Sequence, residues 1–393
     1  MRVLFSVILC LLACLPHSVA GELSGNLSAE GRIFFNDARY PGQLKNNGSL
    51  ALDLEYTRKN QSGAGFSFAP FVRWDSVDSK RSHFDLREFN YLWLGNGWEL
   101  RAGVGKVFWG VTEFVHLVDV VNQTDAIESL DDEEKLGQPM LHLSLPEKWG
   151  VVDLFLLPYF RERTFPGAKG RLRSAIKVDA DNPQYESSDG EKNLDIALRY
   201  SHTIGNWDLG LYHFKGTGRE PTLLLRAENN SPTLVPFYEQ INQTGLDLQL
   251  TSGEFLYKLE SIYRTGQGND FFASICGVEY NIAGWRGSKK DLTIFGEWGY
   301  DSRGDKATSA YENDLMLGAR LALNDPAGSE FFLGLIQDLN KPTRILYADG
   351  KRRIGKNWKA IFETWIFLDP PQKDILYQVR DDDFFSVKLV HYF

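Results

Sequence analysis

After residue 20 the chain has no run of the roughly 20 apolar residues that a membrane-crossing helix needs, so a helical membrane protein is excluded. Thiols are scarce as well. Of three cysteines, Cys10 and Cys14 fall among the first twenty residues. Cys276 alone forms neither an internal disulfide nor a thiolate metal site, and on a strand face it reads as a small apolar filler. A basic excess is also missing: 43 Lys and Arg against 52 Asp and Glu leave a net charge of -9. That balance argues against nucleic-acid binding, which wants basic stripes, and suits acidic outer loops. No cofactor and no metal are expected.

The chain does begin with an export signal. Arg2 supplies the positive end, Val3 to Leu15 the apolar stretch, and Ser18-Val19-Ala20 a small-residue cleavage site. Residues 1–20 are therefore read as a Sec signal peptide, and 21–393 as a single unit. Leu11-Leu12-Ala13-Cys14 resembles a lipoprotein box, but the Ser-Val-Ala site is better placed to release a free N terminus. Mean hydropathy of -0.30 does not argue against a membrane, because a barrel that hides every second residue from lipid averages its hydropathy away.

From Gly21 onward apolar and polar residues alternate in segments of about ten. Leu50, Leu52, Leu54 and Tyr56 project to one side of their strand, while Ala51, Asp53, Glu55 and Thr57 project to the other. The pattern returns at Trp98–Val104, Leu194–Tyr200 and Leu315–Leu323. Short turns such as Gly95-Asn96-Gly97 and Gly205-Asn206 take turns with longer polar stretches near 36–47, 110–137, 162–191, 217–242, 301–311 and 340–355. Tight periplasmic turns opposite long outer loops are the asymmetry of outer-membrane barrels. Trp98, Trp149, Trp207 and Trp285 sit at the short turns, where indole suits a membrane interface. The fold class is therefore all-β, a transmembrane antiparallel barrel of 18 strands, with 16 as the alternative. Both chain ends must be periplasmic, which requires an even number. Ile375 to Val379 is read as a short rising strand before the last.

The chain ends in an alternating strand closed by an aromatic residue. Phe385, Val387, Leu389 and Phe393 keep the outward register. This resembles the C-terminal signature of bacterial outer-membrane barrels, which the barrel assembly machinery recognises. His391 departs from the usual apolar residue. The resemblance implies the outer membrane of a Gram-negative cell, with lipid and lipopolysaccharide as surroundings.

On the inward register the sequence places Arg73, Arg87, Glu99, Arg101, Arg161, Arg199, Lys258, Glu297 and Arg320, among other charges of both signs. Such a lumen stays water-filled if the barrel is wide, whereas in a narrow barrel the same ions would pair and plug it. The most distinctive segment runs through Gly105, Lys106, Trp109 and Gly110, followed by Asp119, Asn122 and Asp125. It resembles a group of poorly characterised porin-like outer-membrane proteins. Independently, residues 111–130 are apolar for an exposed loop, with Phe114, Leu117, Val118, Val121 and Ile127 near helical spacing. The loop is expected to fold into the barrel and place Asp119, Asn122 and Asp125 at a constriction; a surface helix packed on neighbouring loops is the alternative.

His142 and Ser144 stand two apart, a spacing seen in outer-membrane phospholipases. Both turn inward, away from lipid, and no third orienting group is visible, so no enzyme is expected. The expected function is a channel for passive diffusion of small hydrophilic solutes. Export of an anionic polysaccharide, import of a hydrophobic compound, or an adhesive or structural barrel with a closed lumen stay open, as does a homo-oligomer.

Overall fold

A computed structural model describes residues 21–393 apart from 229 and 230; the expected export signal, residues 1–20, lies outside the described residues. The strands are β1 (Glu22–Phe34), β2 (Asn47–Lys59), β3 (Gly65–Asp75), β4 (Phe84–Gly95), β5 (Trp98–Gly105), β6 (Gln138–Glu147) and β7 (Gly150–Leu157). There follow β8 (Gln184–Tyr185), β9 (Asp195–Ile204), β10 (Trp207–Thr217), β11 (Thr222–Glu228), β12 (Ser231–Tyr238), β13 (Gln240–Ser252) and β14 (Phe255–Thr265). The last are β15 (Phe271–Ile282), β16 (Asp291–Asp301), β17 (Asn313–Ala322), β18 (Glu330–Asp338), β19 (Arg344–Ile354), β20 (Trp358–Leu368) and β21 (Phe384–Tyr392). Strands β8, β11 and β12 form a small sheet within the outer loops; the other 18 make one sheet.

Each barrel strand pairs antiparallel with the next, and β21 returns to β1 from Asn26↔Tyr392 to Phe34↔Phe384. Closure satisfies every edge, as lipid demands, because unpaired backbone groups cost several kcal/mol there. The count of eighteen stands, but two of its parts were misplaced. Residues 340–355 hold β19 rather than a long loop, and Ile375–Val379 is a 3-10 turn capped by Asp374, whose side chain accepts from the Leu376 amide. The Asp369-Pro370-Pro371 break limits hydrogen bonding there, whereas the charges that made 340–355 look like a loop belong to an inward face.

Alternation decides the exterior. Leu23, Leu27, Ile33, Leu141, Leu156, Leu317, Leu333 and Leu389 all project outward and stay exposed. Trp98, Trp149, Trp207 and Trp358 mark the short-turn end, and Trp74, Tyr263, Phe272, Trp298 and Tyr300 the long-loop end, two girdles at the heights where amphipathic rings settle. Trp285 is half-buried beneath Arg286. Cys276 is exposed on this lipid face, beside Leu259 and Trp298 on the flanking strands. Phe385, Val387 and Leu389 occupy the outward register of β21, with Phe393 just past its end, and His391 packs tilted against Trp358, 4.7 Å between ring centroids. One register shift occurs between Ala69 and Pro70. It leaves Arg87 as the extra residue of β4 and turns both Asp85 and Asn90 inward.

Candidate functional site

The interior divides by depth. In its outer half the inward positions are largely apolar or aromatic: Phe155, Tyr212, Phe214 and Phe271 on one wall, Phe34, Trp365, Phe367 and Phe384 on another, all buried. The segment between β5 and β6, residues 106–137, fills the space between them. Its Trp109, Val118, Val120 and Val121 pack into the first cluster and its Phe114, Val115 and Leu130 against the second. The segment is an irregular strap without a helix, although its apolar spacing pointed to one. Its apolar side chains serve two facing walls, which a single helical stripe does not.

Three sets of polar contacts pin the strap. On β14, Glu260 accepts from the backbone N–H of Val111 (2.7 Å), Thr112 (3.0 Å) and Val118 (3.2 Å), and from the Thr112 hydroxyl (2.7 Å). On β16, Glu297 accepts from the N–H of Glu113 (2.7 Å) and Phe114 (3.2 Å). Gly110 makes this approach feasible. Its φ is +145°, and a Cβ there would lie 2.9 Å from His116 and 3.1 Å from the Glu260 carboxylate. In the middle of the strap, Arg219 donates to the Val121 carbonyl at 2.8 and 3.1 Å while pairing with Asp195 at 2.8 Å.

At its far end the strap is clamped by arginines. Arg73 grips Glu128 with two bonds of 2.6 Å and reaches Glu30 at 3.2 Å; Arg81 binds Glu30 and Asp75 and donates to the Ile127 carbonyl at 3.0 Å. His83 meets Asp125 at 3.2 Å. Burial alone would lower the imidazole pKa, but the Asp125 carboxylate and then Glu128 hold it above the ordinary 6.5. Around the ring, β3 and β14 stand eight strand positions apart, with β4, β5, β6, β7, β9, β10 and β13 between them. In a ring of eighteen the diametric separation is nine, so the strap crosses nearly the full bore.

Asp119, Asn122 and Asp125 belong to this anchoring. Asn122 accepts from the Val107 N–H (2.9 Å) and donates to the carbonyls of Gly105 and Leu136 (2.9 Å each). Asp119 faces Lys135 at 3.2 Å, and Asp125 accepts from the Thr164 hydroxyl at 2.9 Å. Asn122 and Asp125 are buried, and so is the side chain of Asp119. They lie on the segment that crosses the bore, as expected, and there each is tied to neighbouring groups, an arrangement that fixes a loop. Trp109 is buried between Phe155 and Tyr212, with the Arg199 guanidinium 5.1 Å from its ring. Lys106 has no ion-pair partner among the described residues.

Most of the expected lumen charges are paired. Arg87 reaches Asp53 (3.2 Å) and Glu134 (3.4 Å), Arg199 pairs with Asp247 (2.8 Å), Lys258 with Glu279, and Arg320 with Glu113. Arg161 lies beyond the end of β7 rather than on the wall, and its chain folds back to Asp85 at 2.5 Å. The periplasmic half is mixed. Lys351 pairs with Glu330 at 2.8 Å, but Glu99 is exposed, and Arg101, Arg353 and Lys359 face inward without an ion pair among the described residues, Arg353 directly opposite Lys359; Lys388, opposite Glu30 at mid-depth, has none either. His142 pairs with Asp153 at 2.7 Å and stacks on Phe155; among the described residues no hydrogen bond joins it to Ser144. Sequence reasoning missed Arg81, Arg173 and Arg219, because all three lie in outer loops, where period-two alternation says nothing.

Beyond the strap, toward the outer loops, lies a cavity of about 500 Å³. The strap, the inner faces of β14, β15 and β20, and outer loops around residues 163–178, 308–311 and 375–379 bound it.

No known family model and no curated protein matches the chain. Among solved structures, Wzi, an outer-membrane protein involved in group 1 capsule assembly in Escherichia coli and a carbohydrate-binding β-barrel, aligns over 99% of this chain and 87% of its own, at 11% identity and a TM-score of 0.54. A mutant of the Rh. blastica porin aligns over 95% of this chain and 100% of its own at 12% identity, TM-score 0.45. The Vibrio cholerae outer membrane protein OmpT aligns over 95% and 99% at 11% identity, TM-score 0.45. The likeness to Wzi is one of fold.

Proposed function

We propose that this chain, an outer-membrane β-barrel of porin-like fold, is a passive channel for small solutes whose passage is set by the strap 106–137. The observation that carries the reading is a division of labour inside one bore. A wet, charged periplasmic half and an outer chamber stand on either side of a segment held by specific, breakable contacts. A barrel needed only as a wall has no use for unpaired lumenal cations, whereas a channel uses them to set the potential along its path. No covalent chemistry is invoked; selection is by size and charge.

Apolar packing of the strap against two facing walls favours a second reading, a closed barrel whose outer loops bind a partner. Carbohydrate, which Wzi binds, is one partner class to try. Planar-bilayer recordings separate the two. A channel passes discrete ionic currents in the wild type, and deletion of 112–130 raises them. A chain that never conducts, or conducts identically with and without those residues, defeats the channel reading.

A further inference from the structure

The chamber beyond the strap has a composition that points to one class of ligand. Its walls include Phe114, Phe271, Ile345, Trp365 and Phe367, an apolar and largely aromatic surface unlike the lining of a general diffusion pore. Its size falls within the range of small-molecule sites, about 300–1,000 Å³. Six Lys or Arg side chains also line it, and five have a carboxylate partner: Lys135 with Asp119, Arg163 with Asp132, Arg219 with Asp195, Arg264 with Glu220, and Arg303 with Asp301.

Arg173 is the exception. It is 7% exposed and bonds only backbone carbonyls, those of Ser174 (2.8 Å), Ala168 (3.0 Å) and Pro41 (3.4 Å). Its Nε is buried and has no partner. A guanidinium held out of water with no carboxylate within ion-pair distance is costly, and a ligand carboxylate that reached it would supply that partner.

We propose that the outer chamber binds an amphiphilic monocarboxylate, its aromatic or short alkyl body against the Trp365–Phe367 lining and its carboxylate on Arg173. The site names the solute class of the channel proposed above and rests on that reading for its physiological role, though binding itself does not require conduction. A neutral sugar would leave the guanidinium uncompensated. A purely inorganic anion would make no use of the apolar part of the chamber.

The test uses the refolded full barrel in lipid nanodiscs, titrated calorimetrically with 4-phenylbutyrate and with its neutral amide, empty nanodiscs serving as blank. The expected result is saturable one-site binding of the acid, at least tenfold tighter than the amide. Arg173→Gln should bring the acid down to the amide's affinity, Arg173→Lys should keep a preference for the acid, and Ile345→Trp, which fills the chamber, should abolish both. Equal binding of acid and amide by the wild type, no saturable binding above the blank, or acid binding untouched by Arg173→Gln overturns the proposal. The wild-type comparison decides even if Arg173→Gln does not fold, as judged by heat-modifiable gel mobility. Conductance of the same preparation separates the two claims. A conducting barrel that ignores the acid retires the site and keeps the channel, and a binding barrel that never conducts does the reverse.

Discussion

The outer and periplasmic halves of the bore are made by the same eighteen strands, yet their inward residues live under different physics. In the outer half nearly every inward charge is buried and committed, as Glu260, Glu297, Arg73 and Arg81 are to the strap. In the periplasmic half Arg353 faces Lys359 across a strand pair, an arrangement that is repulsive when dry and tolerable where water and salt screen it. The teaching of the difference is that an inward charge is a structural bond where the strap excludes water and a solvated field element where it does not.

Removing the strap tests that division most severely. Deletion of 112–130 should raise single-channel conductance several-fold and expose the outer half's aromatic walls to water; unchanged conductance would show that the two halves are not separated by this segment. Next in size is the Arg73 clamp. Arg73→Ala strands the Glu128 carboxylate, while Glu30 keeps Arg81, and losing one partner of a buried ionic network costs about 3–5 kcal/mol, read as a lower thermal or denaturant midpoint of the folded barrel. Glu260→Gln keeps an acceptor but loses the charge that several donors share. Charged hydrogen bonds contribute about 1.5–3 kcal/mol each, so strap docking should weaken by about 2 kcal/mol, seen as faster proteolysis within 106–137 and noisier currents.

A pH titration is gentler. The His83 pKa is raised in the folded chain, so its contribution is complete below the unfolded value of 6.5 and is lost as pH rises through the higher folded value. Strap release, followed by proteolysis, should therefore increase on alkalinisation, and His83→Gln should flatten the dependence. The smallest effect on stability belongs to the periplasmic half. Lys359→Gln should alter stability by less than about 0.5 kcal/mol while shifting the reversal potential toward cation preference; a large destabilisation would mean that this half is as dry as the other.

How much of this was legible beforehand follows the reach of each signal. The outward register of Phe385 to Phe393, the interface tryptophans and the even strand count are local or period-two properties, readable one strand at a time. The strap's inward fold was suggested by its excess of apolar residues, but its conformation was not, since spacing shared between two walls imitates a helix. Glu260 and Glu297 were readable as inward-facing, yet nothing in their own strands says that backbone amides from residues 111–118 arrive there. Arg173, Arg81 and Arg219 left no signal, because a loop cation looks solvated until neighbouring loops cover it.

By itself, then, the sequence determined side: which face of most strands meets lipid, and which chain segment was too apolar to stay in water. Tertiary structure alone decided depth, meaning which of the inward residues are dry and which are wet. Alternation carries only one bit per residue, inside or outside, while dryness depends on contacts such as Val111 with Glu260, 149 positions apart in the chain, that exist only once the sheet has closed around the strap.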